Sequence, residues 1–112
     1  MSQITTHILD TTKGKPAANV SIALLQQVGE DWQEIARGKT NADGRIPDLL
    51  PKEKQVELGV YKMKFYTQQY FAQDGTANFY PFVEIVFNVA ENAHYHVPLL
   101  LNPFGYSTYR GS

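Results

Sequence analysis

Short runs in which apolar and polar residues alternate, each ended by a cluster of Gly, Pro, Asn or Asp, constrain this chain to extended structure. Ile4, Thr6 and Ile8 oppose Thr5, His7 and Leu9 before the turn-rich stretch DTTKGKPAAN, which predicts a strand with His7 on the face away from Ile4 and Ile8. Val20, Ile22 and Leu24 repeat the pattern, and Gly29-Glu30-Asp31 turns the chain back through Trp32 to Thr40 as a hairpin. Asn41-Ala42-Asp43-Gly44 has the composition of a turn, because Asn, Asp and Gly tolerate positive φ and bond locally, and it delivers Arg45 as the first residue beyond it. Pro47 and Pro51 allow no more than a short edge strand between them, since proline removes a ladder donor. Tyr61, Met63 and Phe65 alternate with Lys62, Lys64 and Tyr66 as a strand with one wet face. The stretch TQQYFAQDG predicts the one short helix, with Thr67 as its N-cap and an end near Gly75. Three further strands follow, over Val83 to Val89, His94 to Leu101, and Tyr106 to Arg110. Seven to eight short strands with one helix predict an all-β antiparallel β-sandwich, with Leu25, Val86 and Leu99 facing outward.

Composition narrows what such a sandwich can do. A chain of 112 residues is expected to be a single domain spanning 1–112. No stretch reaches the roughly 18 consecutive apolar residues of a membrane span, so a soluble protein is expected. A net charge of −1 without any block of like charges argues against nucleic acid or anionic lipid as partner and favours a small molecule or a protein. With no cysteine there is no disulfide, thiol nucleophile or thiolate metal site. The start, MSQITTHILD, has neither a basic nor an apolar signal region, which makes the cytoplasm the default compartment. A periplasmic protein whose signal had been removed would read the same.

The residues with chemistry to offer are few. All three histidines, His7, His94 and His96, fall on predicted strands, and H-x-H on a strand sends both imidazoles to one side. Each could be a half-buried polar residue with a backbone partner. Together the three could hold a zinc ion with an open fourth position, although no carboxylate is obviously placed to orient each ring. They could also act as general acid and base, since an imidazole of pKa about 6.5 is mostly neutral near pH 7.5. Arg45 reads either as a solvated surface arginine or as a clamp for a planar, oxygen-rich ligand. The end of the chain, with Tyr106, Tyr109, Arg110, Gly111 and Ser112, lacks the polar residues of a frayed tail and suggests an ordered segment.

Taken together, THILD near the start, TNADGR in the middle, HYHVPLLL, and YSTYRGS at the end resemble the 5-hydroxyisourate hydrolases, the transthyretin-related enzymes of purine breakdown. The likeness runs from Ile4 to Ser112 and takes in GKPA at Gly14 to Ala17 and FYPF at Phe79 to Phe82, and Tyr109-Arg110-Gly111-Ser112 matches the family's signature tetrapeptide. The resemblance implies a transthyretin-like fold and a homotetramer, a dimer of dimers with its sites in a channel between subunits. It carries catalytic roles onto His7, Arg45, His96 and Ser112, and substrate binding onto His7, Arg45, Tyr109, Arg110 and Gly111. His94 lies in a matching stretch without a role to carry over. With Ser112 as last residue, a terminal carboxylate would stand within reach of an imidazole or of Arg110. The implied reaction is opening of the six-membered ring of 5-hydroxyisourate by water, giving 2-oxo-4-hydroxy-4-carboxy-5-ureidoimidazoline as an intermediate of urate degradation, without metal or organic cofactor. A carrier of small planar aromatic ligands, as in the hormone carrier of the same fold, is the alternative, because a fold does not fix a function. An accessory sandwich domain recognising sugar or protein is a third. Neither requires this set of imidazoles and guanidinium.

Overall fold

The alternating segments form eight strands and one helix in a computed structural model that describes residues 1–112. In chain order these are β1 (Ile4–Asp10), β2 (Lys15–Pro16), β3 (Ser21–Val28), β4 (Asp31–Lys39), β5 (Gly59–Phe65), α1 (Thr67–Ala72), β6 (Val83–Val89), β7 (Tyr95–Asn102) and β8 (Gly105–Thr108). They build two four-stranded sheets, ordered β2-β1-β7-β8 and β4-β3-β5-β6, as the expected sandwich. The inner faces meet in one core of 20 buried residues, to which Ile4, Ile8, Val97, Leu99 and Leu101 come from the first sheet and Ile22, Leu24, Tyr61, Met63 and Phe65 from the second.

One pairing is parallel. β1 runs alongside β7 in the same direction, in register from Ile4 opposite Tyr95 to Asp10 opposite Leu101. Hairpins make antiparallel neighbours, but these two strands are separated by the whole second sheet, and the chain returns across the sandwich to lie beside its own beginning. The short β2 was not legible as a strand. It pairs only through Leu9–Pro16 and Asp10–Lys15, and its proline is tolerated because β2 is an edge.

Local expectations give way at Leu99 and at the helix start, each for a physical reason. Leu99 is fully buried instead of facing outward, because it shares the inward parity of Tyr95, Val97 and Leu101 on β7. Val86 is exposed, and Leu25 is half-buried. The helix takes Tyr66, not Thr67, as N-cap and has no side-chain cap. The Tyr66 N–H is still bonded to Ser21 O at 2.9 Å, so β5 runs directly into the helix and Thr67 is drawn inside at 1% exposure. Gly75, at φ 67°, does close the turn beyond the helix.

The last strand ends at Thr108, short of Arg110. β8 pairs with β7 through Leu99 opposite Thr108, and continuing that register would place Tyr109 opposite Pro98. Pro98 has no N–H to give, so the ladder breaks there. Thr108 instead donates its hydroxyl to Pro98 O at 2.7 Å, and the chain rejoins β7 in the same register where Gly111 N–H donates to His96 O at 2.9 Å.

The end of β1 is fastened by a buried carboxylate. Asp10, 1% exposed, accepts from the backbone N–H of Thr12 and Lys13 at 3.0 and 3.1 Å and from the Tyr70 hydroxyl at 2.7 Å. Burial and this carboxylate push the Tyr70 pKa up, so the phenol stays a donor. Replacing Leu99 with Ala should cost about 2–5 kcal/mol in chemical denaturation, as for a core leucine. A loss under about 0.5 kcal/mol, typical of surface positions, would contradict its inward placement.

Candidate active site

Period-two geometry places Thr5 and His7 on the outer face of β1 while Ile4, Thr6 and Ile8 fill the inner one. The parallel register sets Thr5 against His96 and His7 against Pro98 on β7. His96 therefore stands on the same outer face as His7, although 89 positions separate them in the chain.

Arg45 reaches this face through its turn. The Asn41 side-chain oxygen accepts from Asp43 N–H at 2.9 Å and from Arg45 N–H at 3.1 Å, and the Asn41 N–H donates to Arg45 O at 2.8 Å. Gly44 adopts φ 72°, and a Cβ there would lie 2.5 Å from Ile8 O. Glycine is needed for both reasons. The close approach lets Ile8 N–H donate to Gly44 O at 3.0 Å, which bridges Arg45 to His7 through the backbone.

The terminal segment closes the other side. Gly111 lies so close to His96 that a Cβ would meet the ring Cδ2 at 2.4 Å and Pro98 Cγ at 3.1 Å. Beside it, a cavity of about 360 Å3 is bordered by Thr5, Thr6, Arg45, Ile46, Pro47, His94, His96, Ser112 and Met1. Tyr109 and Arg110 turn the other way. They border a second cleft of about 330 Å3 toward β6, with Ile85, Phe87 and Tyr95, and the Arg110 guanidinium lies 4.6 Å from the Tyr95 ring centroid. His96 is the one residue on both walls. The chain thus gathers His7, Arg45, His96, Gly111 and Ser112, and leaves Tyr109 and Arg110 on the far side of the His96 ring.

Both imidazoles are biased toward the neutral form. Burial lowers the His96 pKa first, and the charge of Arg45, then His94 and His7, lowers it further. His7 is lowered by burial and by Arg45, while Asp43 pulls in the opposite direction. No carboxylate forms an ion pair with Arg45, since the three pairs of the chain are Lys13–Asp74, Glu34–Arg37 and Lys62–Glu84. Nor is any group of three or more His, Asp or Glu side chains placed to hold a metal ion. A neutral base beside an unpaired guanidinium can take a proton from water while the cation receives the negative charge that develops.

One participant, Thr5, was not singled out from the sequence, and His94 was named there without a role. The Thr5 hydroxyl lies 2.8 Å from His96 Nδ1 and 2.8 Å from His94 Nε2, and the two rings stack at 6.2 Å between centroids. The alternation of β1 puts Thr5 on the face of His7. Its meeting with the two histidines depends on the parallel register, which no local signal announces.

A model of the HIUase/Transthyretin family matches residues 4–111. The 5-hydroxyisourate hydrolase of Mus musculus is 45% identical over 114 residues, covering 99% of this chain and 96% of the mouse protein. Among solved structures, transthyretin from Sparus aurata superposes with a TM-score of 0.91 at 33% identity, covering 99% of this chain and 97% of that one. The 5-hydroxyisourate hydrolase of Klebsiella pneumoniae superposes at 0.86 with 35% identity, covering 97% and 98%. The backbone is thus shared by proteins of both names.

Imidazole signals of His7 and His96, followed by NMR, should titrate with midpoints below the ordinary 6.5. The unfolded chain then binds these protons at higher pH than the fold does, so their contribution lowers stability as pH falls through the ordinary histidine range. Gly111→Ala should push the His96 ring outward and bring its midpoint back toward 6.5 while His7 stays put. An unchanged His96 midpoint would mean that the terminal segment moved instead of the ring.

Proposed function

The chain belongs to the HIUase/transthyretin family, and from that premise we propose that it hydrolyses 5-hydroxyisourate to 2-oxo-4-hydroxy-4-carboxy-5-ureidoimidazoline in urate degradation. The observation that carries this reading is Arg45 and His96 on one cavity, with His7 bridged to Arg45 and both imidazoles biased toward the neutral form. A channel built for an apolar aromatic ligand gains nothing from a half-buried imidazole next to an unpaired guanidinium. A small, flat ring rich in carbonyl oxygens does.

The chemistry needs a positioned water, a base and a partner for an oxyanion. His96 Nδ1 faces Thr5, so Nε2 takes the proton as water oxygen bonds to the amide-type carbonyl carbon. The carbonyl π electrons move to oxygen, where Arg45 stabilises the charge. Collapse breaks the ring C–N bond, and the imidazolium returns its proton to the departing nitrogen. His7, next to Arg45, orients the ring and shares the proton traffic, and Ser112 closes the cavity. General acid and base help of this kind is worth about 10²–10⁴-fold, and no cofactor enters any step.

The same proposal includes a homotetramer, a dimer of dimers. β6 and β8 are open edges, β8 is largely exposed, and the outer face of β1 and β7 that carries the site is only partly covered by its own chain, through the Arg45 turn and the terminal segment. A second copy laid across that face would enclose the cavity in a channel. Tyr109, 60% exposed, would then be available for substrate contact, with Arg110 anchoring the segment on Tyr95.

Alanine at His7, Arg45 or His96 should each slow hydrolysis about 100-fold or more, read as loss of substrate absorbance against spontaneous decay. Thermal stability should stay within about 1 kcal/mol. Near-normal turnover in both histidine variants would refute the assignment, and tight binding of planar aromatics without turnover would favour the carrier. Dialysis against a strong chelator should leave the rate unchanged, and light scattering should report about four times the chain mass. A fully active monomer would exclude a site that needs a channel.

A further inference from the structure

A single hydroxyl links two imidazoles. Thr5 Oγ1 is 2.8 Å from His94 Nε2 and 2.8 Å from His96 Nδ1, and it has one proton to give. When both rings are neutral and both contacts are hydrogen bonds, one ring must donate to the oxygen and the other must accept from it. The two tautomers are therefore coupled. If Thr5 donates to His94 Nε2, it accepts from His96 Nδ1–H, and His96 Nε2 carries a free lone pair. If the wire runs the other way, His94 Nε2–H donates to Thr5, Thr5 donates to His96 Nδ1, and the His96 proton sits on Nε2. The first state is a base toward the cavity and the second is a donor.

We propose that Thr5 and His94 are positioning residues that set the tautomer of His96, so that a neutral His94 holds His96 Nε2 open as a base and protonation of His94 reverses the wire and switches it off. Protonated His94 has an N–H on both nitrogens and can only donate, which leaves the Thr5 proton for His96 Nδ1. The arrangement is built for such coupling. Thr5 is held opposite His96 by the β1–β7 register, the His94 and His96 rings are stacked at 28°, and Gly111 packs against the His96 edge. His94 is exposed while His96 is half-buried, so bulk protons reach the outer member of the pair.

Charged and titratable groups face this pair from several neighbouring elements. His7 comes from β1 and Arg45 from its turn, both beside His96. Lys52, Glu53 and Lys54 border the groove that His94 shares with Met1, and Ser112 borders the cavity.

The inference rests on the proposed hydrolysis only for its kinetic readout. With 15N-labelled imidazoles at about pH 8, where histidines are neutral, His96 in the full-length protein should carry its proton on Nδ1, with Nε2 unprotonated. Thr5→Val keeps a β-branched side chain but removes the hydroxyl. It should move His96 toward the Nε2–H form and lower kcat about tenfold or more with little change in KM, as expected for a base in the wrong tautomer. Thr5→Ser should restore both. His94→Phe keeps a flat ring but no acceptor. It should shift the tautomer in the same direction and reduce by one the number of protons whose binding shuts off the rate on the acid side. Nε2–H in the unsubstituted protein, or an unmoved tautomer in Thr5→Val, overturns the relay. If His96 shows the Nδ1–H form and responds to both substitutions while hydroxyisourate decays no faster than alone, the relay stands and the proposed function fails.

Discussion

The parallel pairing of β1 with β7 is the constraint from which the site follows. It joins residues about 90 positions apart along seven paired positions, and its inner face supplies Ile4, Ile8, Val97 and Leu99 to the core. A slip of β1 by one residue would turn its core side chains outward and drive His7 inward. Each aliphatic side chain lost from the core costs about 1.5–3 kcal/mol, so such a slip is strongly disfavoured. The core thereby holds the chemistry in place. The same register that buries Ile4 and Ile8 sets Thr5 against His96 and His7 against Pro98, and none of the proposed catalytic groups has to contribute to stability for the geometry to persist.

Electrostatics on that face depend on one charge. Arg45 reaches it because Asn41 caps its own turn and Gly44 can approach β1 where no Cβ would fit. With no carboxylate partner of its own, the guanidinium acts on the imidazoles, adding to the burial that already disfavours their charged forms. A salt-bridged arginine at this position would have been worth little in stability, since exposed pairs contribute about 0–1 kcal/mol. It would also have withdrawn a field that adds to burial in lowering the pKa of both imidazoles. Leaving the cation unpaired is what would make it available to the oxyanion of the proposed reaction.

Most of the strands were legible because half-buried strands write a period of two into the sequence, and the turn before Arg45 was legible because Asn, Asp and Gly mark it chemically. What escaped was information that spans the chain. The parity of β7 assigns Leu99 to the core once Tyr95 and Val97 are known to face inward, but LLL at Leu99 to Leu101 has no internal alternation to show it. The helix start was misplaced because Thr67 has the composition of an N-cap, whereas the Tyr66–Ser21 bond keeps the chain in the sheet until the helix begins. The candidate site was legible mainly through motifs. Thr5 stayed hidden because its partners belong to a strand that returns in parallel.

Pro98 brings these threads together. In a strand with neighbours on both sides, a proline gives up a ladder hydrogen bond worth about 1 kcal/mol net, and ordinarily it would be found at an edge. Here the loss falls opposite Tyr109, where the terminal segment leaves the sheet, and the register resumes at Gly111 beside His96. The break lets Tyr109 and Arg110 swing toward β6 while Gly111 and Ser112 return to the cavity. Had the ladder been continuous, Tyr109 and Arg110 would lie flat along β7, and the wall formed by His96 would separate no second cleft. A sandwich common to hydrolases and carriers thus acquires a polar, two-sided site through one missing donor and one glycine, with the core left undisturbed.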